Sequence, residues 1–526
     1  MKLKKTLAVF LAAALMLTGC GGSGDAGGDS NGGDSSTLVV AIQDEIEGAD
    51  IHQIGWENMV HALIYDPLVT FNADLSEVQP CFAESYEVSD DGLEITFHLY
   101  EDSKFANGDP LTSESVKKSV ERMKEISQYA GDVEAIEEVQ IVDDTTFKYI
   151  LSKPAPYMWA SLASTYGGVV DVDRADEMGT DEFNRSAVGN GPYLLKEWQA
   201  GSQVVLEKNP YYRTTNPNVQ NKAVLNADTV IIRFIPDEFT RVSELETGNV
   251  DIIYDVPMSS VADLQSNPDV TTYSYKQAGV NYIMFQTEDE PTSQKLIREA
   301  INIGLDREGL AEALDGVVSP MYGFISDAQA GYSPEKEAEY AAKYKFDVEG
   351  AKALLAEAGY TDSDGDGFVD KNGKKLTIEY ASPTDKAAGK AAAPVIQAQL
   401  KTIGVDFQIR EYEQAYIKQM VRDNKFQAAS RNYVWNDADI LYYVFTEESG
   451  YPWHDEAVTA ALTEARYITD AEERVKGYEK AQDALFAQMP AVSLFADNYC
   501  VAARSNVKGL QITNDGRSFY NDVVKE

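Results

Sequence analysis

The chain of 526 residues is 44% hydrophobic and 25% charged, with 86 Asp and Glu against 45 Lys and Arg, for a formal net charge of −41. That length builds about two to four domains, and so acidic a surface repels nucleic acid and anionic headgroups, which excludes nucleic-acid binding. Cysteine is confined to Cys20, Cys81 and Cys500; this is too sparse for a disulfide framework, so Cys81 and Cys500 are expected as buried thiols.

In chain order, Met1-Lys2-Leu3-Lys4-Lys5 is a positive start and 7–17 an apolar run ending in Leu17-Thr18-Gly19-Cys20. This reads as a signal peptide over 1–19 with a lipobox, Cys20 becoming the lipidated N-terminus. The run is shorter than the ~20 residues a permanent membrane helix needs. The Gly, Ser, Asp and Asn of 21–36 cannot bury apolar surface, so 20–36 is read as the lipidated Cys and a flexible tether. Stable anchoring then takes more than one acyl chain. The expected place is the outer face of a cell membrane, and the glycine-rich tether fits a Gram-positive envelope.

Beyond the tether, 38–42 suits a buried strand and 56–64 a helix stopped near Asp66-Pro67. The alternation over 94–99 predicts a strand with His98 on its polar face beside Glu94 and Thr96. Asn107-Gly108-Asp109-Pro110 is a turn, and Thr112 and Ser113 cap a helix reaching 126. A strand at 147–151 is ended by Lys153-Pro154-Ala155-Pro156. Gly189, Gly191 and Pro192 predict a sharp turn into strand 193–195, on the argument that glycine takes the needed backbone angles cheaply. Strands and helices alternate through 204–207, 230–234, 243–247 and 251–254. They continue as helices 294–303, 348–358 and 391–403 with strands 376–380 and 406–410. The mixture predicts an α/β protein with more than one sheet.

Catalytic patterns are missing from the sequence. His52, His61, His98 and His454 form no His-Glu-x-x-His and no zinc spacing. Neither a nucleophile elbow nor a phosphate-binding loop occurs, so no enzyme is expected. One stretch resembles the first half of a calcium loop: Asp362, Asp364, Asp366 and Asp370 alternate, with Gly367 at position six. Position twelve is Gly373 instead of a bidentate glutamate, and Lys371, Lys374 and Lys375 crowd it. The favoured reading is a solvated turn whose Asp side chains bond their own backbone, with Ca2+ as the alternative and no other cofactor.

A series of blocks then follows in order along the chain. It opens with Leu63-Ile64-Tyr65-Asp66-Pro67-Leu68-Val69, Pro80-Cys81-Phe82-Ala83-Glu84-Ser85-Tyr86, Ile95-Thr96-Phe97-His98-Leu99 and Lys104-Phe105-Ala106-Asn107-Gly108. It continues through Val188-Gly189-Asn190-Gly191-Pro192-Tyr193, Asn209-Pro210-Tyr211-Tyr212 and Leu245-Glu246-Thr247-Gly248-Asn249-Val250-Asp251. Ile297-Arg298-Glu299-Ala300-Ile301, Leu400-Lys401-Thr402-Ile403-Gly404-Val405 and Met489-Pro490-Ala491-Val492 complete it. Together they resemble the family 5 extracellular solute-binding proteins, the dipeptide- and oligopeptide-binding lipoproteins of ABC importers. The resemblance implies a periplasmic-binding-protein-like α/β fold of two hinged lobes with mixed sheets and an extra inserted domain. Lobe one would be 37–68, 188–284 and 495–526, the inserted domain 69–187, and lobe two 285–494.

A zwitterionic peptide in a dry cleft needs a carboxylate for its ammonium and a guanidinium for its carboxylate. By the resemblance, Trp435 precedes an ammonium-binding aspartate. Asp437 lies two residues after it, where peptide binders commonly have three, and Asp439 competes for the role. Arg431 lies near the place of an arginine that meets a peptide carboxylate, with Tyr433 in the same stretch. Asn281-Tyr282 and His52 fall where the family approaches its cleft. The alternative for Asp437 and Asp439 is to cap a helix at 440–445. The implied function is capture of short peptides for delivery to the permease subunits of an ABC importer, by a monomer. A nickel chelate, opine or oligosaccharide would keep the same role; a sensor or a secreted lipoprotein enzyme would be another class.

Overall fold

A computed structural model describes residues 36–526 apart from Asp74 and Val224, so the leader, Cys20 and the tether up to residue 35 lie outside the described residues. The apolar start of the body forms strand Thr37–Ile42, which pairs in parallel with Thr229–Phe234 on one side and Ile252–Ile253 on the other. Antiparallel strands Gln203–Lys208 and Tyr193–Gln199 carry the sheet to that edge. Toward the far edge of the same 12-stranded sheet, Thr377–Pro383 runs parallel to both Asp406–Tyr412 and Ala428–Val434. The fold is therefore mixed α/β, as the alternation of strand and helix signals predicts.

Strand Ala491–Arg504 joins the two ends. Its first half pairs with Gly279–Phe285 and its second with Val270–Lys276, both antiparallel. Large apolar cores flank this seam. One gathers residues between Leu38 and Tyr254 together with Val501 to Val523, and the other runs from Val280 to Ala496. The chain crosses between them at 270–285 and again at 491–504. In parallel sheets the ligand crevice lies outside the carboxyl ends of the strands. Those ends follow Ile42 and Phe234 on one side, and Pro383 and Val434 on the other.

A second, four-stranded antiparallel sheet orders Ser85–Val88, Glu94–His98, Thr146–Leu151 and Ile136–Ile141. Ile95 and Phe97 turn inward while Glu94, Thr96 and His98 stay half-buried, as the alternation predicts. Phe97 stacks on Phe147 with centroids 5.3 Å apart. Helix Ser113–Ile126 begins where expected, the Ser115 hydroxyl accepting the Thr112 N–H. The apolar residues of this sheet and helix belong to the first core.

Two expectations change. The helix expected at 56–64 covers only Met59–Ile64, because Asn58 accepts the Val60 N–H while His61 Nδ1 accepts the Asn58 N–H, a reciprocal N-terminal cap that starts the helix there. Gly189 and Gly191 are not in the left-handed region. They are needed for space instead: a Cβ would lie 2.3 Å from the Ile64 carbonyl oxygen at Gly189 and 2.5 Å from the Ile64 carbonyl carbon at Gly191. Cys81 and Cys500 are both buried free thiols, as expected.

Candidate functional site

Strand Ala428–Val434 lies beside Gly279–Phe285, with Arg431 opposite Tyr282, Asn432 opposite Asn281 and Tyr433 opposite Val280. Four of the expected residues, Arg431, Tyr433, Asn281 and Tyr282, thus share one strand pair. Past the strand, the Trp435 N–H donates to the Ala278 carbonyl at 2.7 Å, and the Asn436 carbonyl accepts from Ala330 N–H at 2.8 Å. These bonds turn the chain into helix Ile440–Phe445.

Asp437 and Asp439 are each 1% exposed. The Arg474 guanidinium grips Asp437 with two hydrogen bonds of 2.7 and 2.8 Å, and Asp437 Oδ1 also accepts the Asp439 N–H at 2.7 Å. Asp439 accepts from the Tyr478 hydroxyl at 3.1 Å and lies 3.4 Å from Arg466 Nε. Burial pushes its carboxyl up to about 7 despite the opposing pull of Arg466. Arg474 and Tyr478 lie one turn apart on helix Ala471–Gln488, and Arg466 closes helix Glu456–Arg466. The two acids therefore tie the loop after Trp435 to two helices. The helix-capping alternative does not hold as stated: Asp439 occupies the N-cap position without a side-chain cap bond, and Asp437 serves the Asp439 N–H.

Arg431 is 5% exposed. Its Nη2 donates to the Tyr451 hydroxyl, but among the described residues Nε and Nη1 have no hydrogen-bond partner. Other positive charge is near: burial, then Arg431, Arg422 and Lys386, hold the Lys418 ammonium below its usual range. Asn281 donates to Asp497 Oδ2 at 3.1 Å, leaving Oδ1 buried without a partner among the described residues. Burial raises the Asp497 carboxyl, against the Asn281 hydrogen bond and Lys386.

His52 sits in a different network. Arg122, on helix Ser113–Ile126, binds Asp50 at 2.5 and 3.0 Å and meets His52 Nδ1 at 3.0 Å. Burial holds His52 down to about 4, so its ring is neutral near pH 7.

The side of the fold bearing the four-stranded sheet also meets the second core. Tyr157 lies with its ring centroid 3.9 Å from the Arg466 guanidinium and 6.1 Å, edge-on, from the Tyr467 ring. Lys153 Nζ donates to the Tyr467 hydroxyl at 2.9 Å. Arg466 also bonds the Tyr443 hydroxyl at 2.7 Å, so one guanidinium bridges Tyr157 and the loop of Asp439.

Two cavities open between the sides. One, of about 920 Å3, is lined by Val261, Tyr275, Val317, Tyr499 and Cys500 among others. A second, of about 510 Å3, has Phe71, Tyr86 and Trp159 on one side and Tyr332, Asp437 and Arg474 on the other. Asp437 is thus a cavity-lining residue whose charge is already matched. Sequence reasoning missed Arg474, Arg466, Lys386 and Asp497; no local spacing links Asp437 to an arginine 37 positions on.

In the Asp-rich loop, carboxylate oxygens of Asp362, Asp364 and Asp366 come within 4.8 Å of one another. Asp362 accepts the Gly365 and Gly367 N–H groups, Asp364 that of Asp366, and Asp366 that of Phe368. Lys375 pairs with Asp366 at 2.8 Å. Asp370 turns away to Ser363 and Gly373. Each of these four carboxylates thus accepts at least one backbone N–H, the pattern of an Asx-turned loop.

The family model for bacterial extracellular solute-binding proteins, family 5 middle region, matches residues 77–453. The chain is 27% identical over 467 residues to the probable D,D-dipeptide-binding periplasmic protein DdpA of Escherichia coli, covering 85% of each. It is 26% identical over 571 aligned positions to the oligopeptide-binding protein AppA of Bacillus subtilis, covering 99% of this chain and 98% of that one. NikA from Brucella suis in complex with Fe(III)-EDTA has the same fold, with a TM-score of 0.80 at 21% identity over 93% of this chain and 100% of that one. Among the described residues, no helix is long and apolar enough to cross a membrane.

Proposed function

The chain belongs to the bacterial extracellular solute-binding proteins of family 5, solute-binding components of ABC importers, and from that premise we propose a lipid-anchored receptor that captures a short peptide. Cys20 would hold it at the outer face of the cell membrane, and a permease would take the cargo. Two cores joined by two crossing segments suit a hinge that closes over a ligand.

The observation that carries the ligand reading is Arg431. A buried guanidinium with unpaired N–H groups is costly until an anion meets it, and a carboxylate does so with two parallel bonds. A peptide supplies that carboxylate. So would a carboxylate-bearing metal chelate or an opine, and both keep the same transport role. Relatives named for dipeptide and oligopeptide binding cover 85% and 99% of the chain, which favours the peptide.

The test is mass spectrometry of solute released on denaturing the purified protein, with calorimetry on Arg431→Gln. A peptide in the released fraction, and affinity reduced at least tenfold in the variant, support the reading. An uncharged sugar as the sole solute would overturn it. Replacing Cys20 by Ser should release the protein from membranes and abolish acyl labelling; persistent labelling would contradict the anchor.

A further inference from the structure

The 510 Å3 cavity gives a second, separate statement about the ligand. One wall comes from the segment after the tether-proximal core strands: Phe71 is buried, and Tyr86 and Trp159 form a tilted pair 5.4 Å apart. The Tyr86 hydroxyl is pinned to the Val78 carbonyl at 2.9 Å, so the ring pair is held. The opposite wall, from the second core's side, adds Tyr332 and Val475.

Its floor holds Asp437, whose two oxygens already take two Arg474 N–H groups and the Asp439 N–H. A carboxylate has about four acceptor sites, and three are used here. An ammonium arriving at Asp437 would meet the Arg474 guanidinium as well and gain little net attraction. At the rim, the Glu77 and Glu472 carboxylates are exposed, so solvent and salt screen them. Aromatic walls and a neutralised floor select by body and not by charge.

We propose that this chamber is a side-chain pocket that receives an aromatic or bulky apolar group of the captured solute, and that Asp437 does not anchor an ammonium. The inference deepens the receptor reading and rests on it. Because each side of the fold supplies one wall, the group is enclosed only when the two sides meet.

The test uses two small probes on the purified full-length protein, 2-phenylethanol and 2-phenylethylammonium, read by calorimetry and by tryptophan fluorescence compared with Trp159→Phe. The expected result is affinities within threefold of each other, both weakened at least tenfold by Trp159→Ala and retained by Trp159→Phe. Binding of the ammonium tenfold or more tighter than the alcohol would overturn the proposal, since Asp437 would then be read as a charge. So would absence of binding by either probe, or binding untouched by Trp159→Ala. Release of a carboxylate-bearing solute on denaturation, with neither probe bound, would retire the chamber and leave the receptor reading standing.

Discussion

Replacing Tyr157 by Leu removes an aromatic face from the contact between the two sides while keeping most of its apolar bulk. The Arg466 guanidinium lies 3.9 Å from that ring, and Tyr467 meets it edge-on at 6.1 Å. The Tyr157 hydroxyl has no hydrogen-bond partner among the described residues, so none is lost. A partly desolvated cation–π contact contributes about 0.5–2 kcal/mol and an aromatic pair ~0.5–1.5 kcal/mol. Together about 1–3.5 kcal/mol leaves the closed arrangement, which shifts a closed-to-open ratio roughly 5- to 400-fold. Lys153 still reaches Tyr467, which places the expectation toward the lower half of that range. Spin labels at Glu137→Cys and Glu464→Cys, both exposed positions, report the separation by double electron–electron resonance. The Leu variant should gain a longer-distance population, with a small loss of melting temperature. An unchanged distance distribution would refute the idea that Tyr157 and Arg466 hold the two sides together.

Other expectations follow from the buried charges. His52 is held down to about 4 against an unfolded value near ~6.5, so the fold favours its neutral form. Stability from this group is complete above about pH 6.5 and lost as pH falls toward 4. The difference in melting temperature between wild type and His52→Gln should therefore shrink or invert on acidification; a difference constant from pH 7.5 to 4 would contradict this. Asp437→Asn leaves Arg474 buried without its counter-charge and should cost about 3–5 kcal/mol in denaturant unfolding, much of it recovered in Asp437→Leu/Arg474→Met. No recovery in the double variant would mean the pair is not the source of the loss. Millimolar calcium should produce neither heat nor a thermal shift, because the Asp362–Asp370 oxygens are engaged by backbone and Lys375; a shift reversed by EDTA would overturn the solvated-turn reading.

What could be read from the sequence tracks the range of the interactions involved. Helix Ser113–Ile126 and strand Glu94–His98 are set by neighbours within four residues, a cap at Thr112 and a two-residue alternation, and both are plain in the sequence. The start of helix Met59–Ile64 depends on a histidine completing a cap in place of the usual Glu or Gln, a weaker signal. Gly189 and Gly191 were legible as special positions, but their cause is the backbone of Ile64, more than a hundred residues away. The site divides the same way. Arg431 and Asp437 stand out by residue type and by resemblance, yet the pairing of Asp437 with Arg474 and the unpaired state of Arg431 exist only once helices and strands are placed. His52 looks like a cleft residue by position, while its partner Arg122 lies 70 residues on.

The strand Ala491–Arg504 has a consequence for how such a chain is made. Ala502 and Ala503 complete the pairing that leads through Ile252–Ile253 to Thr37–Ile42, while Ser493 and Val492 complete the pairing at Tyr282 and Ile283. Lys525 reaches back to Asp251 and to the Thr37 carbonyl. The seam between the sheet halves is not closed until residues 491–504 arrive, and contacts of such sequence separation form slowly. A nascent chain short of residue 491 lacks the strand that joins the two halves. A protein destined for the far side of a membrane thereby stays threadable until its C-terminal segment is available, and the order of synthesis times its folding.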